Sequence, residues 1–327
     1  MLDIPVVLII FNRPDFTELV FQAIALAKPK HLFVLADGPR SPDEAHLCAQ
    51  TRAVIQKVDW DCKVRTNISE VNLGCRQRCA SGFDWVFSQV DAAIFLDDDC
   101  VPDPTFFPFC EVMLDHYRGD TRVMMITGSN YLGRWKADNQ SYHFSYFGSP
   151  WGWASWRRAW KFYDVTMTAW GDEESKARIR GVLADDESFV LQARRFDALY
   201  GNPGDRHSWD LPWSFARLMQ SGLTVVPAVN LISNRGCLGG ISLPPTHPIA
   251  NLPTESMSFP IRFQTSVSVD RLYDERHIRR LYEGFSRPAA GPTQIPTEAP
   301  VESAALYQRL ARKLGGRLAD MLKGGGG

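Results

Sequence analysis

The sequence predicts an α/β protein with a mostly parallel sheet and helices on both faces. Three observations carry that expectation. Short, continuous apolar runs alternate with helix-like segments through the first half of the chain. The connections between them are short, which favours crossovers into one parallel sheet. Three of the runs end in polar clusters, Asn12-Arg13, Asp37-Gly38 and Asp97-Asp98-Asp99. In a parallel sheet these ends share one rim, where ligands bind.

The elements follow in order. Ile4–Phe11 is apolar almost throughout, as a strand covered on both faces should be. It stops at Asn12-Arg13-Pro14. Asp15 and Glu18 then form a variant capping box for a helix carrying Phe16, Leu19, Val20, Ala23 and Ile24. Leu32–Ala36 is a second strand, closed by Asp37-Gly38-Pro39-Arg40. Ser41-Pro42-Asp43-Glu44 supplies an N-cap, a proline at the first helical position and an acid at the third. A third strand over Cys62–Thr66 and a helix over 75–88 lead to a fourth strand, Ala92–Leu96, which runs straight into the three aspartates. Pro104 opens another helix behind a cap at Asp103, and Arg122–Thr127 is a fifth strand. The second half is less regular. Residues 147–170 hold five of the ten tryptophans, and the spacing of Trp153, Trp156 and Trp160 fits one inward helix face. A charged helical stretch spans 172–198, a helix 209–220 and a further strand 223–232. Pro288, Pro292, Pro296 and Pro300 mark a linker over 286–300, between a main domain over 1–285 and an amphipathic helix with a glycine tail over 301–327.

Composition narrows the function. The 327 residues are 45% hydrophobic and 22% charged, which excludes wholesale disorder. Thirty-six basic against 37 acidic residues leave a formal charge of −1, so no broad nucleic-acid footprint is expected. No apolar run approaches the ~20 residues a bilayer span needs. The first residues lack the basic start and small-residue cleavage site of a secretory leader. Seven cysteines with no CxxC pair and no zinc-like Cys/His spacing read as reduced thiols of a cytoplasmic protein.

Asp97-Asp98-Asp99 is the sharpest chemical feature. Three adjacent carboxylates repel one another and lose hydration if crowded. A hard divalent cation, Mg²⁺ or Mn²⁺, relieves that repulsion and keeps positions for phosphate oxygens. The loop after the first strand, Asn12-Arg13-Pro14-Asp15, contains no glycine. It therefore lacks the Gly-rich wrap of a sugar nucleotidylyltransferase and the G-x-G-x-x-G of a dinucleotide-binding oxidoreductase.

Ile94-Phe95-Leu96-Asp97-Asp98-Asp99, followed by Pro102 and Phe106-Phe107, resembles the acidic metal motif of nucleotide-sugar glycosyltransferases with the GT-A fold. Phe11-Asn12-Arg13-Pro14, Ala36-Asp37-Gly38-Pro39-Arg40 and Asn72-Leu73-Gly74-Cys75 extend the resemblance. So do Trp151-Gly152-Trp153-Ala154-Ser155-Trp156 and Trp209-Asp210 with Trp213, in family order across residues 4–250. The chain looks most like bacterial family-two-type transferases, related in fold to N-acetylglucosaminyltransferases. The resemblance implies a GT-A, Rossmann-like fold and inverting transfer of a hexosyl or N-acetylhexosaminyl group from a nucleoside diphosphate, UDP first. The acceptor would be a hydroxyl of a glycan or glycolipid in cell-surface polysaccharide synthesis, such as lipopolysaccharide or capsule.

The resemblance also implies roles. Asp37 and the Phe11-Asn12-Arg13 segment would enclose the nucleotide, and Asn72 and Gly74, with Arg76 or Arg78, would hold its base or diphosphate. Asp99 is the first candidate metal ligand and Asp98 the second, the latter also facing ribose, while Asp97 orients them. His247 is a candidate late metal ligand. Asp210 is the candidate general base for the acceptor hydroxyl, ahead of Asp205 and the Asp185-Asp186-Glu187 run. Trp151, Gly152, Trp153 and Trp209 are candidates for sugar or acceptor contact, whereas Trp160 belongs to the core. The alternative is a non-catalytic nucleotide- or sugar-binding protein of the same fold. Residues 301–323, with leucines among Arg309, Arg312, Lys313 and Arg317, are a candidate for peripheral contact with the inner face of the membrane.

Overall fold

Strands and helices alternate from the N-terminus in a computed structural model that describes residues 1–236 and 243–283. The order is β1 (Val6–Ile10), α1 (Pro14–Ala27), β2 (His31–Ala36), α2 (Ala45–Ala53), β3 (Lys63–Ile68), α3 (Cys75–Phe87), β4 (Ala92–Asp97), β5 (Cys100–Pro102), α4 (Phe106–His116) and β6 (Val123–Thr127). Then come β7 (Tyr142–Ser145), β8 (Trp153–Trp156), α5 (Arg157–Trp160), α6 (Glu173–Leu183) and α7 (Asp186–Tyr200). The chain continues with α8 (Asp210–Met219), β9 (Leu223–Pro227), β10 (Ile232–Asn234) and α9 (Arg271–Glu283). The linker over 286–300 and the helix over 301–327 lie outside the described residues.

The fold is mixed α/β around an eight-stranded sheet in the order β3-β2-β1-β4-β8-β6-β9-β7. β1 pairs in parallel with β2 and β4, β2 with β3, and β6 with β9. β8 is inserted antiparallel between β4 and β6, so those two still point the same way. β7 closes one edge antiparallel to β9. The carboxyl ends of β1, β2 and β4 therefore open side by side on one rim. Just beyond β4, β5 pairs antiparallel with β10 in a two-stranded ribbon.

The continuous apolar runs are buried on both faces, as expected: Val6, Val7, Leu8 and Ala93 through Leu96 are fully covered. On one face, Phe83 of α3 packs edge-on against Phe95 at 4.7 Å and Trp153 at 5.5 Å. A second core joins α6, α7, α8 and α9 around Trp170, Phe196 and Phe215.

Four local expectations are corrected. α1 begins on Pro14 with Arg13 at the N-cap position and no side-chain cap, so the Asp15–Glu18 box does not form. Ser41 likewise caps nothing and leads into a short 3₁₀ turn before α2. Trp153–Trp156 is strand, because pairing with both β4 and β6 satisfies its backbone where a helix would leave those strand edges open. The charged stretch over 172–198 breaks at Ala184, whose φ is 54°, and Asp185 caps α7 by accepting from the Ser188 N–H at 2.7 Å.

Candidate active site

The rim is one wall of a cavity of about 730 Å³. Phe11, Asn12 and Arg13 line it from the end of β1, and Asp37 lines it from the end of β2. Asn72 and Gly74 reach it from the loop before α3, and Asp97, Asp98 and Asp99 from the turn after β4. Trp151, Trp209 and Asp210 line it as well. Segments remote in sequence thus converge where a parallel sheet directs them.

Asp37 organises this wall more than it offers itself to a ligand. Its carboxylate accepts from the N–H groups of Gly38 (2.9 Å), Leu73 (2.9 Å) and Gly74 (3.0 Å) and from Asn72 Nδ2 (3.1 Å). A carboxylate has about four acceptor sites, so these are filled. That leaves Asp37 no free acceptor for the base or ribose of a nucleotide, and corrects the expectation that it binds one directly. Gly74 fits because its φ of 79° is a conformation that side chains disfavour, and a Cβ would sit 2.8 Å from Arg206 Nε. Asn72 is equally committed, donating to the Gly38 carbonyl at 2.8 Å while Arg206 holds its Oδ1 at 3.0 Å. Asn12 donates to Glu44 Oε1 at 3.1 Å. Phe11 carries the Arg40 guanidinium over its ring at 5.2 Å, a flat cationic platform on the cavity wall.

Arg13 was not expected to be the partner of the acid triad, and it is. Its Nη1 donates to Asp99 Oδ2 at 2.9 Å, its Nε to Asp98 Oδ2 at 3.3 Å and its Nη2 to Asp98 Oδ1. Burial opposes the Arg13 charge, but Asp98 and Asp99 outweigh it and hold the guanidinium firmly protonated. One cation does not balance three acids. Burial, then Asp99 and Asp98, push the Asp97 carboxyl well above the usual range, and burial raises Asp98 to about 6 against the pull of Arg13.

Asp97, Asp99 and Cys100 each place one donor atom within 4.8 Å of the others. Two carboxylates suit Mg²⁺ or Mn²⁺. The Cys100 thiol, held protonated by burial and by the acids around it, does not. Asp98 stands outside this trio, with both of its carboxylate oxygens accepting from Arg13. Glycine is required at 236, since a Cβ there would lie 1.9 Å from Asp99 Oδ2.

Four expected site residues lie elsewhere. His247 is buried with Nε2 3.0 Å from the Leu281 carbonyl and does not line the cavity, which removes it as a ligand to the triad. Trp153 is 1% exposed and stacked on Phe95 at 4.4 Å, so no sugar reaches its face. Gly152 has φ 60°, and a Cβ would meet Ile232 Cδ1 at 2.3 Å; it serves packing. Arg76 spends its guanidinium on the carbonyls of Val165 and Asp205, bracing the loop before α8. Arg78 does line the cavity while donating to Asn67.

Asp210 occupies the first turn of α8, 3.8 Å from Arg195 and about a third exposed, so it is reachable from the cavity. It adds to the repulsion felt by Asp97, which places it electrically within the same site. Gln192, Arg195, Arg217 and His277 also line the cavity and were missed. The first two sit on a helix whose charge pattern reads as a solvated face. A signal for Arg13 did exist: β1 and β4 are adjacent, with Ile9 opposite Asp97, so the residues just past them must meet.

No protein-family model and no curated protein matches this sequence. Among solved structures, the chain is similar to the galactosyltransferase LgtC in complex with donor and acceptor sugar analogs, at 14% identity and TM-score 0.32, covering 50% of this chain and 61% of that one. An active-site mutant of LgtC aligns at 13% identity and TM-score 0.37, over 68% and 72%. The WbbM bifunctional glycosyltransferase aligns at 12% identity and TM-score 0.31, over 67% of this chain and 37% of that one. The chain thus spans about three-fifths of the first LgtC chain and little more than a third of WbbM. Identities this low say nothing about activity. No helix among the described residues is long and apolar enough to cross a membrane.

Proposed function

We propose that this protein is an inverting, divalent-metal-dependent GT-A glycosyltransferase. It moves a sugar from a nucleoside-diphosphate donor, UDP first, to a hydroxyl of a glycan or glycolipid in cell-surface polysaccharide synthesis on the cytoplasmic side of the membrane. One observation carries the reading. The acid triad after β4 and Asp210 at the head of α8 line one cavity, at the carboxyl-end rim of a mostly parallel sheet.

Each group then has a task. Arg40 over Phe11 and the loop clamped by Asp37 form a pocket suited to a flat base. Asp99 and Asp97 would hold Mg²⁺ or Mn²⁺, which supplies charge stabilisation on a departing diphosphate. Asp210 takes the proton from the acceptor hydroxyl as its oxygen bonds to the anomeric carbon. The bond from that carbon to the phosphate oxygen breaks, and the nucleoside diphosphate leaves with the electron pair. Trp151, half-buried beside Tyr131 at 5.3 Å, offers the aromatic face for the sugar that Trp153 cannot.

The test separates binding from chemistry. Asp99→Ala is expected to abolish Mn²⁺-dependent UDP binding in calorimetry, and unchanged affinity would remove the metal assignment. Asp210→Asn is expected to bind UDP normally while turnover, followed as UDP release, falls by ~10²-fold or more. UDP binding by the wild type with no transfer to any acceptor would favour a non-catalytic binding protein.

A further inference from the structure

Part of the cavity lining comes from α7, α8 and α9, and its chemistry is the reverse of the acid triad's. Gln192 and Arg195 lie one turn apart on α7, with Arg217 on α8 and His277 on α9, and all four line the cavity. Gln192 is 1% exposed, and its Nε2 has no hydrogen-bond partner. Arg217 is equally buried. Its Nη1 donates to Thr224 Oγ1 at 2.7 Å and to the Tyr146 carbonyl at 3.3 Å, while its Nε has no partner. Burial lowers the Arg217 pKa only to about 10, so it stays a cation at neutral pH. The acid whose charge it feels, Asp274, is spent on Ser145 and the Tyr146 N–H.

A buried guanidinium N–H and a buried amide N–H without acceptors both cost folding free energy unless a ligand supplies the missing acceptor. His277 does not supply it. Its ring stacks between Tyr131 at 4.9 Å and Phe147 at 5.6 Å, and burial keeps it neutral. Arg195, 3.8 Å from Asp210, carries the positive wall toward the candidate base.

We propose that this part of the cavity binds a carboxylate or phosphate-ester group carried by the acceptor glycan, seated on Gln192, Arg195 and Arg217. The proposal rests on the transferase reading above and narrows its acceptors to acidic glycans. Asp98 and Asp99, in the same cavity lining, disfavour an anion beside them. The anion of the acceptor is therefore directed to α7 and α8.

Calorimetric titration with glucuronic acid, glucose 6-phosphate, glucose and inorganic phosphate tests this, with and without saturating UDP and Mn²⁺. At least one acidic sugar is expected to bind tenfold or more tighter than glucose, and which one identifies the carboxylate or the phosphate ester. Equal affinity for glucose overturns the proposal, as does inorganic phosphate binding as tightly as both acidic sugars. Gln192→Glu, nearly isosteric, is expected to weaken the preferred acidic sugar at least tenfold while UDP affinity stays within twofold; unchanged acidic-sugar affinity overturns the proposal. Should that variant fail to fold by circular dichroism, Arg195→Gln is read the same way. A parent protein that does not bind UDP refutes the donor reading, whereas the preference measured without UDP decides the anion site by itself.

Discussion

Arg13 is the residue on which the acid wall depends. It holds Asp98 and Asp99 together and is the cation paired with them among the described residues. Removing one partner of a buried ion pair typically costs about 3–5 kcal/mol, because the remaining charge is left uncompensated. Arg13→Met should therefore lower apo stability by about 2–4 kcal/mol, discounted for the partial exposure of Arg13. Millimolar Mn²⁺ should restore much of it in urea unfolding, since a divalent ion replaces the lost charge; no rescue would mean that these acids do not take a metal. Asp274 yields a prediction of pH dependence. Burial raises its carboxyl from 3.8 to about 7, so the folded state holds the proton more tightly than the unfolded one. Its stabilising contribution is complete below pH about 3.8 and is lost as pH rises to about 7, on the order of 4 kcal/mol. Asp274→Asn should flatten the fall in urea midpoint between pH 4.5 and 7.5 relative to wild type, and parallel curves would contradict it. At this scale the triad was legible because an apolar strand ending in acids is a local signal. Its partner was not, because Arg13 meets Asp98 only after two strands are laid side by side.

Elements owe their positions to backbone constraints as much as to apolar pattern. β1, β2 and β4 were legible because each is buried on both faces, and they fall within the expected runs apart from a residue at one end. The tryptophan segment was misread. Residues 153, 156 and 160 have helical spacing, but β8 fills the gap between β4 and β6, and tertiary hydrogen bonding outweighs local periodicity. Gly152 is the hinge that admits this strand. Its positive φ, and the close approach of Ile232, leave no room for a side chain. Gly152→Ala should destabilise the fold by about 2–4 kcal/mol, from backbone strain together with overpacking. Chemical denaturation measures it, and a loss under ~0.5 kcal/mol would show that β8 shifts freely.

Across the whole molecule, the cavity has a charge division that no single stretch of sequence displays. The acid wall comes from adjacent parallel strands, and topology made it foreseeable. The basic part is assembled from α7 and α8, whose arginines and glutamine are indistinguishable in sequence from solvated helix residues. Only packing turns them inward. The link between the two parts is an aromatic slab. Trp153 lies between Phe95 at 4.4 Å and Trp209 at 5.4 Å, with Trp213 at 6.0 Å, and those last two flank Asp210 in sequence. Asp210, the proposed base, is thus placed by packing of its neighbours Trp209 and Trp213 against the core as well as by Arg195. Trp153→Leu removes ring volume from a site 1% exposed and should cost about 2–4 kcal/mol of stability. Because a shift of about 1 Å in a catalytic group can cost ~10²-fold in rate, turnover should fall at least about tenfold. UDP affinity, which the proposed function assigns to the ends of β1, β2 and β4 and the Asp37 loop, should stay within about twofold. Turnover that survives the loss of Trp153, in a variant shown by denaturation to be loosened, would mean that Asp210 is held independently of the slab.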